Sequence, residues 1–358
     1  MNPTTLARHR LHNQLIAQRP PQQVFRTPAE VVGWLGAIQG QDYPGAKWSI
    51  GLRLPGSTEA TIDQALASRS VLRTWALRGT LHLVTAEDIR WLLALVAPRI
   101  LTGNARRYRE LELDEPALAR GSEILAAALE GERELDRDDL LATLDQSGIS
   151  TEGQRGVYLL QRASVEGRIV QTGARGARAL FMSLDALTPP ASPRPREEVL
   201  AELARRYFLS RGPATLRDFV WWSGLTTADA RAGLESVEAQ LVREIAGDQL
   251  TWRSPSDPPI DDLSPALLPG FDEYLIGYQD RRAVLDPRFE QRIKRGGMLA
   301  PAIVIDGRVT GTWKRAATQK KIRITTSSFT AWTDADIEAI SRAARRYGDY
   351  CQLPIEVE

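Results

Sequence analysis

Apolar positions along the chain fall into short runs that switch between helical and alternating spacing, and the switch recurs. In TPAEVVGWLGAI, Val31, Leu35 and Ile38, with Trp34, share one helical face. Its start is well signed: Thr27 as N-cap, Pro28 in the first helical position, and Glu30 at capping-box spacing. PGAKWSIGLR and STEATIDQALAS predict two more helices, and SVLRTWALRGTLHLV two short strands around Arg78-Gly79. TAEDIRWLLALVAPR, with Thr85 and Asp88 at cap spacing, is apolar almost throughout and predicts a buried helix.

The order then repeats. DRDDLLATLDQSG predicts a helix stopped by Gly148, and STEGQRGVYLLQRASVEG a second, with Thr151 and Gln154 at capping-box spacing; RIVQTGARGARALFMSL is a hairpin with a glycine-rich tip. A third copy follows: GPATLRDFVWWSGL as a proline-started helix with Trp221 and Trp222 in its core, TTADARAGLESVEAQ, and LVREIAGDQLTWR turning at Gly247-Asp248. Helix, short turn, helix and two-stranded hairpin is the order of a winged helix-turn-helix. The copies share architecture, with no residue-level repeat.

After Pro269 the texture changes. PAIVIDGRVTGTWKR alternates around Asp306-Gly307, KKIRITTSSFTAW is a further strand, and DADIEAISRAARRYG a closing helix. The expected fold class is α+β. Three tandem winged helices (1–115, 116–187 and 199–255) precede a β-rich, small barrel-like domain (256–358), with the proline-rich segment 188–198 as a linker between the second and third.

Composition adds limits. A chain of 358 residues holds two to four small domains, each able to bury a core. The N-terminus carries no secretory pattern and no apolar run reaches membrane-spanning length, which predicts a cytoplasmic, nucleoid-associated protein with no membrane partner. A single cysteine, Cys351, excludes an internal disulfide, and with only three histidines (His9, His12, His82) a Cys/His zinc site is not expected. There is no P-loop, Rossmann fingerprint or Ser/His/Asp pattern.

Net charge is +1 but unevenly spread. Residues 1–110 carry 14 basic against 7 acidic, 111–260 carry 17 against 24, and 281–323 carry 12 against 3. Basic ends around an acidic middle suit a clamp on a polyanion; a solvated arginine-rich surface is the alternative.

One polar feature interrupts the first copy. Gln39 and Gln41 stand two residues apart, beside Asp42 and Tyr43, between an apolar helical run and a Pro-Gly break. They read either as capping and solvation of a helix C-terminus or as a polar site that needs amides rather than carboxylates.

AIQGQDYPGAKWSIGLR, LRTWALRGTLHLVTAEDIRWL, GPATLRDFVWWSGL, LLPGFDEYLIGYQDR and VIDGRVTGTWKR, in that order, resemble the AlkZ-like family of bacterial winged-helix DNA glycosylases over roughly residues 6–350. The resemblance implies three winged helices and a β-rich domain around a DNA channel. It also implies a catalytic Gln–apolar–Gln signature, which falls on Gln39 and Gln41. The middle residue is Gly40, a mild departure expected to loosen the local backbone. Glutamine at the second position, where the YcaQ-like branch has aspartate, places the chain with the AlkZ-like branch.

The chemistry gives that signature a reason. An N7- or N3-alkylated purine is already cationic, so it leaves without a general acid. What remains is to hold base and sugar and place a water, and an amide both accepts and donates. Two glutamines therefore favour a labile cationic lesion over a neutral base. The implied activity is monofunctional hydrolysis of alkylated purines in double-stranded DNA, bulky or crosslinked adducts included, by a monomer with no cofactor and no metal. Gln39 is expected at the sugar-phosphate or the water, and Gln41 at the water. Asp42 adjoins the pair as a candidate for the missing carboxylate but is expected to point elsewhere, and Asp272 and Glu273 either cap a helix, the favoured reading, or face the active-site channel.

Arg53, Arg73, Arg78, Thr80, His82 and Arg282 are the candidate DNA contacts, with Lys314, Arg315, Lys320 and Lys321 as a phosphate grip on and after a hairpin. Trp48 and Trp75 are candidates to stack on a flipped base, with core packing their ordinary role. The alternatives are a non-catalytic winged-helix regulator or architectural factor, and a protein-interaction scaffold.

Overall fold

The structure, a computed structural model, describes residues 1–16, 25–176, 178–190, 192–255 and 265–358, with only the backbone of Arg295. Ala177 at the expected hairpin tip, Ala191 in the expected linker and positions 256–264, the expected start of the last domain, lie outside the described residues.

In chain order the elements are α1 (Pro3–Asn13), α2 (Pro28–Leu35), β1 (Ile38–Gln39), α3 (Tyr43–Arg53), α4 (Glu59–Ala67), β2 (Val71–Trp75), β3 (Leu81–Thr85) and α5 (Ile89–Glu110). Next come α6 (Glu115–Ala128), β4 (Leu135–Asp136), α7 (Arg137–Gln146), α8 (Arg155–Val165), β5 (Ile169–Arg175), β6 (Arg178–Ser183) and α9 (Leu184–Leu187). The third module holds α10 (Arg196–Arg211), α11 (Leu216–Ser223), α12 (Thr227–Val237), β7 (Val242–Ala246) and β8 (Gln249–Arg253). The remainder is β9 (Ala266–Leu268), α13 (Glu273–Ile276), α14 (Glu290–Ile293), β10 (Lys294–Arg295), β11 (Met298–Leu299), β12 (Ala302–Ile305), β13 (Arg308–Ala317), β14 (Ile322–Ser328), α15 (Asp334–Cys351) and β15 (Ile355–Val357). Helices followed by an antiparallel hairpin thus occur three times before the C-terminal sheet.

The chain forms two compact units, residues 1–62 with 200–358 and residues 63–199. In the second, the strands run β3-β2-β5-β6-β4, and Leu125, Leu140, Leu144, Leu159 and Phe181 pack α6, α7 and α8 onto that sheet. In the first, the C-terminal sheet runs β15-β14-β13-β12-β9, antiparallel except for β14 with β15. It is open rather than barrel-like among the described residues. The outer side of β9 is taken by Trp48, whose Nε1 donates to Leu267 O at 2.7 Å. Gly51 brings α3 onto α15: a Cβ there would lie 2.4 Å from the Tyr350 ring.

Local hydrogen bonds decide where several helices begin. Thr27 and Glu30 form the expected capping box, but α2 stops at Gly36 (φ +74°), so Ile38 lies on β1 and not on the helix. Helix α8 begins at Arg155, because the Thr151 amide and hydroxyl both go to the Asp145 carboxylate (2.8 and 2.7 Å) rather than to Gln154. Helix α11 starts at Leu216, since Thr215 and Asp218 close a capping box two residues beyond Pro213. Helix α5 runs well past the apolar stretch, and its second half is largely exposed. Helix α10 begins inside the segment read as a linker. Trp222 is buried as expected, whereas Trp221 is 44% exposed.

Three buried tyrosines tie the first unit together through main-chain carbonyls. Tyr207 donates to Gly277 O at 2.8 Å, Tyr274 to Gly307 O at 2.7 Å and Tyr278 to Arg211 O at 2.8 Å. Burial raises all three phenols, Tyr207 and Tyr274 well above the ordinary 10.0 and Tyr278 to about 12. The folded chain keeps these protons past the pH at which the unfolded chain releases them. Their stabilisation is therefore complete below pH 10 and erodes as pH rises above it, the Tyr278 share being lost as pH climbs through about 12. Each tyrosine should cost about 1.4 kcal/mol per pH unit in that window. Urea midpoints should fall steeply there, and less steeply for Tyr278→Phe. A midpoint flat across the window would contradict the assignment.

Candidate active site

Gln39 and Gln41 occupy the turn between α2 and α3 rather than a helix C-terminus. Gln39 closes β1 and is half-buried, Gly40 is buried, and Gln41 is exposed just before Asp42. Asp42 is the N-cap of α3, accepting from Gly45 N at 3.2 Å. Only glycine fits at Gly45, where a Cβ would meet the Asp42 carboxylate at 2.3 Å. The expectation that Asp42 points away from the glutamines has this cap as its physical basis.

A buried ion pair grips the main chain leading into the turn. Glu273 and Arg211 are fully buried and meet at 2.6 Å. Arg211 donates to Leu35 O (2.7 Å) and Ala37 O (3.2 Å), the carbonyls leaving α2. Glu273 accepts from the backbone N–H of Gln39 at 2.9 Å, and its other oxygen from Trp222 Nε1 at 2.9 Å. Arg211 also stacks 4.2 Å over the Trp222 ring. Three main-chain groups within five residues are thus fixed, which opposes the loosening expected from Gly40. Glu273 does not cap a helix with its side chain; it holds the strand that carries Gln39.

A second buried network lies alongside, and it overturns one expectation. Arg53, read as a DNA contact, is buried and binds Asp272 through both guanidinium nitrogens at 2.8 and 2.7 Å. Asp272 also accepts from Ser49 Oγ (2.7 Å) and, as the expected cap of α13, from Tyr274 N (2.9 Å). Burial alone would raise its carboxyl; Arg53 and these hydrogen bonds outweigh that and hold it below the ordinary value. Arg53 reaches Gln14 Oε1 at 3.1 Å, and Gln14 Nε2 reaches the Tyr278 hydroxyl at 2.9 Å. Since Tyr278 donates to Arg211 O, the two ion pairs belong to one connected frame.

Other expected site residues separate by environment. Trp48 is core, with Tyr347 and Tyr350 at 4.9 Å, so it does not present a face to a base. His82 is fully buried, its Nδ1 2.9 Å from Thr80 O, and cannot reach a phosphate. Arg73 is half-buried and donates to Gln171 Oε1 at 2.7 Å within the sheet. Arg78 makes the β2–β3 turn in the left-handed region (φ +58°), Thr80 closes it onto Leu77 O, and Trp75 packs against the second unit's core.

The C-terminal hairpin is the exposed basic element. Lys314 and Arg315 lie on β13, and Lys320 and Lys321 in the turn to β14, with Lys321 paired to Glu356 at 2.6 Å. Burial alone would lower the Arg315 guanidinium, but Tyr347, Cys351 and Asp42 carry it above its ordinary value. Arg282 is exposed and paired with Asp280. Sequence reading missed Arg211 and Gln14 altogether and took Glu273 for a cap. The available signal was a pair of adjacent carboxylates inside the apolar run from Ala266 to Tyr278.

A family model described as DNA glycosylase AlkZ-like matches residues 32–350. An interstrand DNA cross-link repair glycosylase of Streptomyces sahachiroi is 26% identical over 317 residues, covering 80% of this chain and 81% of the relative. The structure of Streptomyces sahachiroi DNA glycosylase AlkZ superposes with a TM-score of 0.81 at 22% identity, covering 100% of both chains.

The clamp makes a measurable claim. Glu273→Ala leaves Arg211 buried without its counter-ion and should destabilise the chain by about 3–5 kcal/mol. Arg211→Met should do likewise, and Arg211→Met with Glu273→Leu should cost far less than the sum. Urea denaturation of the four proteins measures the coupling; strictly additive effects would refute a clamp.

Proposed function

The chain belongs to the AlkZ-like DNA glycosylase family, and from that premise we propose that it hydrolyses the N-glycosidic bond of cationic N7- or N3-alkylated purines in double-stranded DNA, bulky and crosslinked adducts included. Family membership makes it an enzyme rather than a non-catalytic regulator. The name of the Streptomyces sahachiroi relative supports including crosslinks.

One observation carries the reading. The turn presents two amide side chains, while the carboxylates built into it are committed elsewhere: Glu273 to Arg211, Trp222 and the Gln39 amide, and Asp42 to the cap of α3. A site whose outward groups are amides has no strong base to offer. It suits a leaving group that carries positive charge before the reaction starts.

In the proposed mechanism the glycosidic bond breaks with its electron pair going to the purine, which leaves neutral. The sugar becomes oxocarbenium-like, and water adds at the anomeric carbon. Gln41, exposed, accepts from that water through its carbonyl oxygen. Gln39, on a backbone fixed by Glu273, holds the sugar-phosphate or the same water. The water's proton leaves to solvent, and the product is an abasic site. Lys314, Arg315 and Lys320 are proposed to grip the phosphates alongside.

DNA bearing N7-methylguanine, incubated with the protein and treated with alkali, tests this. Wild type should give strand cleavage at the lesion, with Gln39→Ala plus Gln41→Ala slower by about 10²-fold, the scale of lost positioning. A panel adding an N3-alkyl adenine and a crosslink defines the range. No cleavage by wild type on any lesion, or equal cleavage by the double variant, rejects the mechanism.

A further inference from the structure

A cleft in the first unit, away from the glutamine turn, gathers three arginines from three elements. Arg217 comes from the first turn of α11, Arg231 from α12 and Arg282 from the loop after α13, around a space of about 620 Å³. Gln249 and Trp252 of β8 line its other side. Arg217 and Arg231 are exposed and enter no ion pair among the described residues.

Neither acidic group in the wall pairs with Arg217 or Arg231. Asp218 is buried and turned inward: it accepts from Thr215 N and Oγ1 (3.0 and 2.9 Å) and from the Gln279 and Asp280 amides (2.9 and 3.3 Å), with Arg10 at 3.8 Å. Asp280 accepts from the guanidinium of Arg282 with both oxygens, which holds that arginine in one orientation in the cleft wall. The cleft therefore offers two uncommitted guanidinium groups and a third that is pre-oriented.

We propose that this cleft binds the phosphodiester backbone of the DNA duplex, as a second anchoring point distinct from the glutamine turn and the β13–β14 hairpin. The proposal rests on the reading of the chain as acting on DNA. Planar guanidinium groups match phosphate geometry, and arginines from several elements suit a repeating anion better than a single compact ligand. Helix α12 holds the place of the recognition helix in a helix-turn-helix, and β7–β8 is that module's hairpin, so the cleft lies where such modules meet DNA.

The anchor is rigidly connected to the candidate chemistry. Helix α11 carries Arg217 at its start and, on its last turn, Trp222, which donates to Glu273. The segment 273–282 begins at the clamp on Gln39 and ends in the cleft wall. A backbone seated on Arg217 and Arg231 is thereby registered to the glutamines through buried, hydrogen-bonded structure.

Fluorescence anisotropy with a labelled, undamaged duplex across a salt series provides the test, on wild type, Arg217→Ala plus Arg231→Ala, and Arg217→Lys plus Arg231→Lys. Loss of two phosphate contacts should make the log Kd against log salt slope shallower by about 1.8, at about 0.9 per contact. Binding at about 0.1 M salt should weaken on the order of tenfold, with the lysine variant keeping most of the slope. An alanine variant with wild-type slope and Kd overturns the proposal. So does one whose Kd rises without any change in slope. If wild type excises no lesion but the alanine variant loses duplex affinity, the anchor stands and the glycosylase mechanism falls. If excision is normal and the alanine variant binds as wild type does, the mechanism stands and the anchor falls.

Discussion

The fully buried pair of Arg211 and Glu273 is the interaction on which the rest of the first unit depends. Two charges removed from water are tolerated only where a counter-charge and hydrogen bonds offset most of the lost solvation. Here the satisfaction comes largely from the main chain: Arg211 takes the carbonyls leaving α2, and Glu273 takes the amide of Gln39. The arginine also lies where the negative end of the α2 dipole needs a cation. A requirement of burial is thereby met by fixing the path of one short turn. The neighbouring Arg53–Asp272 pair, joined to it through Gln14 and Tyr278, extends the frame across α1, α3, α10 and α13.

This arrangement divides labour between charge and amide. Carboxylates face inward, where guanidinium groups and N–H donors neutralise them. Of the two amides Gln41 is exposed and Gln39 half-buried, and neither holds a formal charge. In the proposed reaction a carboxylate in the same turn would stabilise a cationic sugar more strongly, but it would also place a strong base where the leaving purine needs none. An amide carries no formal charge, so basic side chains can lie nearby without pairing with it.

Much of the architecture was readable in the sequence, and the unread part has a common cause. Capping boxes at Thr27, turn dipeptides at Asp306-Gly307 and Gly247-Asp248, and alternation along β12–β14 are local signals, and local hydrogen bonds enforce them. Helices α1 and α10 were not read: α1 mixes Arg10, His12 and Asn13 with Leu6, Ala7 and Leu11 on its inward face, whereas α10 does carry an apolar stripe, Val199, Leu200, Leu203, Ala204, Tyr207 and Phe208, that the adjoining proline-rich segment masked. Arg53 reads as a DNA contact because arginine is ordinarily exposed; its partner lies 219 residues away. Trp48 was offered to a base, yet its partners in α15 and β9 are equally remote. Gln39 and Gln41 were singled out from the segment itself, but that their turn is gripped from behind by Glu273, 234 residues on, is visible only in three dimensions.

The clamp holds Gln39 by its backbone N–H, a group every residue but proline possesses. Placement of the turn is thus separated from the identity of the side chains it presents. Substituting either glutamine changes the side chain the turn presents while leaving the Glu273 and Arg211 contacts to its main chain in place. The fold keeps an address constant and leaves its occupant open to change, so the groups displayed here can be altered by single substitutions without rebuilding the structure beneath them.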